Sequence, residues 1–360
     1  MAARHSIYGL LVLSQILNWF MRVGMPQLIP SIVTDMALSE ASRALLMGAF
    51  FPPYVAMQIP AALLERYTGA KALIVANLLG VGGCLLAMPA AGRHSVQLLA
   101  WLQAAMGFFA AFLFPMQKVL LREWAPLSLG TERVWALRAG GFGMQAGIVG
   151  TSFLTPLLAT RYGWRRVPRI YGLATIVGGV LWQLVAVNKP AQWKGISPTE
   201  LALLSADGES STKKDDDAEK QNGRAPPLPP RLLFHPSVLS TFWINVADNT
   251  SMYTLQQWAL LWFTEHHATT AARAGGFLAA ANVVNVAGQF VSAGVESALL
   301  RQGYSLLSIR KLGGGLGSLF QAVAVFLFGL APSPLLASLV FSAHNLAESF
   351  TSNAYEANYI

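Results

Sequence analysis

The feature that most constrains this chain is a series of apolar stretches that are each long enough to cross a membrane. A spanning helix needs about 20 mostly apolar residues, and ten such stretches follow one another along the 360 residues. They cover 7–33, 41–64, 71–90, 96–121, 136–160, 170–187, 237–263, 272–300, 311–331 and 333–355. The series predicts an all-α, polytopic membrane helix bundle. Several stretches exceed the minimum length and contain proline, which permits tilted or broken helices.

The composition excludes the soluble classes of protein. Apolar residues make up 54% of the chain and charged residues only 12%, whereas soluble domains carry about 25% charged residues. The net charge of +8 is spread among short loops, which indicates membrane topology rather than nucleic-acid binding. We therefore expect the lipid bilayer as a partner and no nucleic acid. The single cysteine, Cys84, cannot form an intrachain disulfide.

One polar stretch, 188–236, divides the chain. It contains a charged run at 213–220, a proline-rich run at 225–230 and seven of the 17 acidic residues. Such a stretch cannot bury much apolar surface, so it predicts a solvated cytoplasmic linker, either a plain spacer or a partner-binding segment. It separates an N-terminal half of six spans, 1–187, from a C-terminal half of four spans, 237–360.

The distribution of lysine and arginine predicts which side of the membrane each loop faces. With the N-terminus inside, inner segments carry 17 of the 25 basic residues and outer loops carry seven. Cytoplasmic loops are enriched in these residues, so we expect the N-terminus inside. The cluster Arg161, Arg165, Arg166 and Arg169 lies on the outer side and opposes this bias. We expect no cleaved signal peptide, and the few residues before Ile7 indicate that either there is no transit peptide or the chain starts late.

A series of short motifs resembles one family. The motifs are Phe50-Phe51 with Tyr54 and Gln58-Ile59-Pro60; Gly107 and Pro115; Trp124-Ala125-Pro126 with Glu132-Arg133; and Ile196-Ser197 with Glu200. In this order and spacing they resemble the anion:cation symporters of the major facilitator superfamily, which include sodium/phosphate cotransporters, sialin, vesicular glutamate transporters and plastid phosphate transporters. The family has twelve spans, and Asn358-Tyr359-Ile360 resembles the start of its next motif. We therefore expect the chain to be truncated after span 10.

The resemblance implies a function. It implies secondary active transport of a small organic or inorganic anion by alternating access, coupled to H+ or Na+, with no cofactor. An enzyme is not expected, because the sequence has no HExxH motif and no cysteine and histidine spacing typical of a metal site. His266-His267 is a weak candidate for metal binding, since only Glu265 lies nearby. A major-facilitator fold that senses or binds a partner without transport is the alternative.

Arg22 is the sharpest candidate for substrate binding. Ser14, Asn18 and Arg22 recur every four residues and therefore share one face of the span 1 helix. A charged residue within a span must face a cavity or a partner. The resemblance implies that Arg22 contacts the substrate anion; the alternative is that it pairs with a buried acid to close the bundle. Asn18 shares this face and joins the predicted site, as do Tyr54 and Gln58 of span 2 by resemblance.

Three further spans carry polar residues at helical spacing. In span 7, Asn249 and Tyr253 are candidates for substrate binding, and Asp248 is either a proton or cation site or the structural partner of Arg22. In span 8, Asn285 is a substrate candidate, although Asn282, Asn285 and Gln289 can equally hold helices together. In span 10, His344 and Glu348 suit proton coupling because both titrate.

Several positions depart from the family pattern. The arginine and glutamate expected in span 4 are Gln103 and Ala110, and the arginine that some members carry in span 7 is Asn249. The histidine found in span 2 of vesicular members is Met47. The missing carboxylate removes a possible proton or cation relay, and the missing arginines weaken the case for a phosphate or a dianion as substrate.

Overall fold

Long helices separated by short turns make up the described chain. The computed structural model describes residues 2–125, 131–205 and 235–356. The helices are α1 Ala3–Arg22, α2 Gly24–Met36, α3 Glu40–Gly48, α4 Phe51–Ala56, α5 Gln58–Thr68, α6 Ala70–His94, α7 Val96–Ala110, α8 Leu113–Trp124, α9 Thr131–Tyr162, α10 Arg166–Val185, α11 Pro198–Ser205, α12 Pro236–His266, α13 Ala271–Arg301, α14 Leu306–Leu330 and α15 Pro334–Glu356. The predicted all-α class is confirmed. Pro126, the runs at 213–220 and 225–230, and the motif at Asn358 lie outside the described residues.

All ten predicted spans fall on helices, but they do not all pass the same test for membrane crossing. Within the described residues, six helical segments are long and apolar enough, and a seventh passes if the bent pair Glu40–Ala56 and Gln58–Thr68 is one span. The remaining three, α10, α12 and α15, carry charged or amide side chains within or at the start of the helix. For these three, crossing of the membrane stays a prediction.

Prolines account for the breaks inside the spans. A proline has no amide hydrogen and cannot continue the helical hydrogen bonds of the preceding turn. Pro52 and Pro53 follow the break between α3 and α4, Pro60 follows a 51° bend at Met57, and Pro115 follows the break between α7 and α8. Spans 2 and 4 are therefore broken helices, as their length and prolines permit.

Polar side chains and glycines fix the turns. Ser39, Ser95, Thr270 and Ser305 each accept a hydrogen bond from the backbone of the helix that they begin, which satisfies an amide that the helix leaves unpaired. Gly69 and Gly303 have φ of 77° and 89°, a conformation that glycine adopts without steric cost. These two glycines occupy the corresponding tight turns after spans 2 and 8.

The chain forms two compact units. The first contains Met1–Met25, Ser31–Ile148 and Arg161–Pro226, and the second contains Pro26–Pro30, Val149–Thr160 and Pro227–Ile360. The core of the first unit includes Trp124 and Trp182, both fully buried. The core of the second unit is centred on Phe263, whose ring lies 5.7 Å from that of Phe328.

Close backbone approach at small residues packs the helices of the first unit. A Cβ atom on Gly107 would overlap the carbonyl oxygen of Phe50, and one on Gly143 would overlap the carbonyl oxygen of Val12. Small residues at such crossings let helices approach closely in a membrane, where van der Waals packing drives association.

We predict that Gly107→Ala destabilises the protein, because the added methyl group must displace the backbone of Phe50. Overpacking of this kind costs about 1–3 kcal/mol. Gly83→Ala is the matched control, since a Cβ atom at this helical glycine meets open space and alanine is the better helix former. Thermal unfolding in detergent measures both variants, and equal midpoints would contradict the prediction.

Candidate functional site

Arg22, the last residue of α1, has a buried side chain surrounded by aromatic rings. It is 5% exposed. Its guanidinium carbon lies 4.4 Å from the ring centroid of Tyr54, whose hydroxyl accepts a hydrogen bond from Nη1 at 3.4 Å. The rings of Trp19, Phe50 and Phe114 lie 5.3, 5.4 and 5.8 Å from the same carbon. Aromatic faces attract a cation, so these rings stabilise the guanidinium in its buried position.

Amide side chains continue this buried polar face of α1 toward its N-terminus. Gln15 Nε2 donates to Gln117 Oε1 at 2.7 Å, and Gln117 Nε2 donates to Ser14 Oγ at 3.0 Å. Asn18 is 1% exposed, and neither of its amide atoms has a hydrogen-bond partner among the described residues. Burying an unpaired amide is costly. Asn18 is therefore suited to bind a polar group one helical turn from Arg22.

The two predicted residues of span 2 lie on either side of the bend at Met57. Tyr54 stacks on Phe50 with a centroid separation of 5.3 Å, and its hydroxyl reaches Arg22. Gln58 is half-buried at the first residue of α5. Tyr54 therefore contacts Arg22 directly, whereas no such contact is shown for Gln58.

Span 4 shows what replaces the charged residues of the family pattern. Gln103 is 3% exposed, and its Oε1 has no hydrogen-bond partner among the described residues. Ala110 is fully buried. The first unit therefore has a neutral amide and a methyl group where the family pattern places a cation and an anion.

In the second unit, buried amides join α12, α13 and α15. Asn282 Oδ1 accepts hydrogen bonds from Gln256 Nε2 at 2.8 Å and from Asn345 Nδ2 at 3.2 Å. His344 Nδ1 lies 3.2 Å from Asn345 Oδ1. All four side chains are buried. The network performs the helix-packing role considered for Asn282, and one of its members, Asn345, contacts His344.

Two predicted residues with different roles contact each other in the same unit. Asn285 Nδ2 donates to Glu348 Oε2 at 3.1 Å and to the backbone carbonyl of Asn345 at 3.1 Å. Gln289 Nε2 donates to Asn285 Oδ1 at 3.2 Å. The candidate substrate residue Asn285 therefore donates a hydrogen bond directly to the candidate coupling residue Glu348.

The α12 residues lie beside a chain of polar contacts that the sequence did not reveal. Asp248 is 6% exposed, and Asn249 and Tyr253 are half-buried. Three residues further along α12 than Asp248, Ser251 Oγ donates to Gln321 Oε1 at 2.9 Å, and Gln321 Nε2 donates to Thr351 at 3.0 Å. Gln321 is an isolated amide in the mostly apolar middle of α14. A single amide within an apolar helix is the sequence feature that could have indicated this buried polar contact.

An ionic cluster lies where α1 begins, at the opposite end of this helix from Arg22. Arg4 Nε donates to Glu132 Oε1 at 2.6 Å, and Arg4 Nη1 donates to Glu200 Oε1 at 3.3 Å. The hydrogen bond from Arg4 lowers the pKa of the Glu132 carboxyl. A lowered pKa means that this contact stabilises the fold above the ordinary range of a carboxyl, and that the stabilisation disappears as the pH falls through the lowered pKa.

A second ion pair in the first unit joins the end of α2 to the start of α10. Arg165 Nη1 lies 2.7 Å from Asp35 Oδ2, and Trp164 Nε1 donates to the same oxygen at 3.1 Å. One arginine of the outer basic cluster therefore has a structural partner, which the count of loop charges did not show.

The two adjacent histidines lie at the end of α12. His266 stacks on Trp262 with a centroid separation of 5.0 Å, and His267 meets the same ring edge to face at 4.6 Å. Across the described ranges, no group of three His, Cys, Asp or Glu side chains could hold a metal ion. Aromatic packing is what the structure shows for this pair.

The chain is similar to known membrane transport proteins. The family model described as Major Facilitator Superfamily matches residues 11–357. A protein of Oryza sativa subsp. japonica named probable anion transporter 2, chloroplastic, is 23% identical over 94% of this chain and 61% of its own length. The D-galactonate transporter of Escherichia coli O6:H1 is 26% identical over 78% of this chain and 64% of its own length.

The solved structures extend the similarity to the fold. A bacterial homolog of the human lysosomal transporter Spinster, in an inward-facing and unoccupied conformation, superposes with a TM-score of 0.71 at 17% identity. The match covers 99% of this chain and 74% of that one. By contrast, the chain spans 61%, 45% and 55% of the lengths of three curated relatives.

We predict that Asn282→Leu destabilises the second unit more than Gln289→Leu does. The first change leaves the buried donors of Gln256 and Asn345 without their acceptor, at a cost of about 1–3 kcal/mol. The second removes one hydrogen bond from a half-buried side chain. Thermal unfolding in detergent compares the two, and an equal or larger shift for Gln289→Leu would contradict the prediction.

Proposed function

The chain belongs to the Major Facilitator Superfamily, and from this membership we propose that it carries a small organic or inorganic anion across a membrane by secondary active transport. It is an integral, multi-pass membrane protein with this fold. Its relatives are named as transporters, which agrees with the expectation that it is not an enzyme.

The buried guanidinium of Arg22 is the observation that carries the proposal. A cation in a water-poor site binds an anion far more strongly than it does in water. The guanidinium is planar and can form two parallel hydrogen bonds to a carboxylate or a phosphate. Aromatic rings surround the group, and the Tyr54 hydroxyl accepts a hydrogen bond from Nη1. Asn18, one turn earlier on α1, offers an unused buried amide to the same ligand.

The charge of the surroundings favours an anion of low charge. Gln103 is neutral in span 4 and Asn249 is neutral in span 7, where the family pattern has or permits arginine. A dianion or a phosphate in a water-poor site needs more positive charge than one guanidinium supplies. We therefore propose a monoanion as the preferred substrate, with Asn249, Tyr253, Asn285 and Gln58 as candidates for neutral contacts.

Coupling to H+ or Na+ requires a group whose state changes during transport. Glu348 is the better placed of the two predicted carboxylates, because it accepts a hydrogen bond from Asn285 and its protonation removes this acceptor charge. Asp248 and His344 remain further candidates. In alternating access, the binding site opens first to one side of the membrane and then to the other, and a change at Glu348 would bias these two states. The division into halves at 1–187 and 237–360, with the linker at 188–236, forms part of this proposal.

We predict that Arg22→Ala and Arg22→Lys both impair uptake, the alanine variant more severely. Removing one partner of a buried charge contact costs about 2 kcal/mol or more, which is a loss of about 30-fold or more in kcat/KM. Lysine keeps the charge but loses the planar pair of donors. The measurement is uptake of radiolabelled monocarboxylates and phosphate into proteoliposomes.

Arg93→Ala is the matched control for Arg22, because Arg93 is exposed at the end of α6. It should leave uptake unchanged, and all variants should be recovered from the membrane in comparable amounts. If Arg22→Ala is correctly inserted and takes up the anion as the wild type does, the role assigned to Arg22 is wrong.

We predict that Glu348→Gln separates coupling from exchange. The amide keeps the acceptor for Asn285 but cannot take up a proton at neutral pH. Uptake driven by an H+ or Na+ gradient should therefore fall sharply, whereas exchange of labelled for unlabelled anion should continue. Loss of both activities would assign Glu348 a structural or substrate-binding role instead. Glu296→Gln is the matched control, because it makes the same change of carboxylate to amide on the helix that carries Asn285.

One observation favours a second candidate function. The span 4 positions that carry an arginine and a glutamate in the family pattern are Gln103 and Ala110. A superfamily member that lacks these groups could retain ligand binding without transport and act as a sensor or a partner-binding protein. The uptake assay discriminates the two functions when it is paired with a ligand-binding measurement: binding without uptake supports the sensor. Specific capture of a soluble partner by residues 188–236 would add to that case.

A further inference from the structure

The beginning of the predicted linker is part of the core of the first unit. Ala186 and Leu204 are 1% and 4% exposed within the cluster that also contains Ala3 and Ile7. Trp193 meets the buried Trp124 edge to face, with ring centroids 5.8 Å apart. Within 186–205, therefore, Ala186, Trp193 and Leu204 pack against the end of the unit where α1 begins, while many of the residues between them are exposed.

The short helix α11 begins with a sequence that ordinarily caps itself. Ser197-Pro198-Thr199-Glu200 matches the capping-box pattern, in which the serine accepts from the third helical amide and the glutamate reaches back to the serine. The first half of this pattern is present, since Glu200 N donates to Ser197 Oγ at 3.1 Å. The Glu200 carboxylate makes different contacts.

Glu200 caps a helix that starts almost 200 residues earlier in the chain. Ala3 N donates to Glu200 Oε2 at 3.2 Å and Arg4 N donates to Glu200 Oε1 at 3.2 Å. The residue that precedes α1, Ala2, offers no side-chain cap. A carboxylate at the start of a helix satisfies amides that the helix leaves unpaired and complements the helix dipole. Glu200 is 8% exposed, so water screens this interaction little.

Arg4 connects the cap to a third segment of the first unit. Its side chain donates to Glu200 Oε1 at 3.3 Å and forms two hydrogen bonds to Glu132, at 2.6 and 3.1 Å. His5 Nε2 also lies 3.1 Å from Glu132. The starts of α1 and α9 are therefore tied to α11 by charge-assisted hydrogen bonds, which are the stronger kind.

We infer that Glu200 is a positioning residue for transport: it fixes the start of α1 and so holds Asn18 and Arg22 in place at the other end of the same helix. The helix α1 is continuous over the 20 residues from Ala3 to Arg22, and a rise of 1.5 Å per step between residues gives a rod of about 28 Å. A rigid rod transmits a displacement of its start to its end. A displacement of α11 would therefore move the end of α1 that carries Asn18 and Arg22. This inference rests on the proposed function for the role of Arg22.

The test compares Glu200→Ala, Glu200→Gln and the control Glu40→Gln in the full chain. Alanine removes both acceptors, glutamine keeps one, and Glu40 is an exposed carboxylate at the start of α3. Two quantities are measured: hydrogen exchange of peptides covering residues 2–10 and 14–22, and the KM for anion uptake into proteoliposomes. We expect faster exchange in both peptides and a KM raised about threefold to fivefold for the alanine variant. The glutamine variant should lie between this and the wild type, and Glu40→Gln should change nothing.

Several outcomes decide the inference independently of the proposed function. Unchanged exchange at residues 2–10 in Glu200→Ala overturns the cap. Faster exchange at residues 2–10 with unchanged exchange at 14–22 and an unchanged KM overturns the positioning role. If the wild type transports no anion, the proposed function fails, and exchange at residues 14–22 still decides whether Glu200 positions the end of α1. If the alanine variant does not fold, Glu200→Gln supplies the comparison.

Discussion

A guanidinium buried within apolar helices is the constraint on which this molecule depends. An arginine in the middle of a membrane helix costs about 2.5–3.5 kcal/mol on insertion scales, so its surroundings must compensate for this cost. At Arg22 the compensation comes from four aromatic rings and the Tyr54 hydroxyl. The close approach at Gly107 packs against the backbone of Phe50, and α4, which carries Tyr54, ends at the bend at Met57.

In the described part of the second unit, the buried polar network consists of neutral amides that bond to one another, as Gln256, Asn282 and Asn345 do. Such a network keeps polar groups inside an apolar bundle at little cost while every donor has an acceptor. Glu348 differs from the amides because it carries a carboxylate, and Asn285 Nδ2 donates a hydrogen bond directly to this group.

The sequence was sufficient for the helices and for the buried face of α1, since both follow from local rules. Apolar length predicts spans, proline predicts breaks such as that before Pro115, and a spacing of four places Ser14, Asn18 and Arg22 on one face. Contacts between distant segments could not be derived in this way. Nothing local indicates that Gln15 bonds to Gln117, or that Glu200 leaves its own capping box to cap α1. The interpretation of 188–236 as a solvated linker did not include the contacts of Trp193 and Leu204 with the first unit for the same reason, because apolar residues are too few there to form a span.

The most direct test of the account is whether an anion binds through Arg22. Purified wild type and Arg22→Gln would be titrated with a panel of monocarboxylates, dicarboxylates and phosphate while the unfolding temperature is recorded in detergent. The account predicts that at least one monoanion raises the unfolding temperature of the wild type and leaves that of Arg22→Gln unchanged, since a ligand stabilises only the state that binds it. An equal rise in both proteins, or a rise with cations alone, would contradict it.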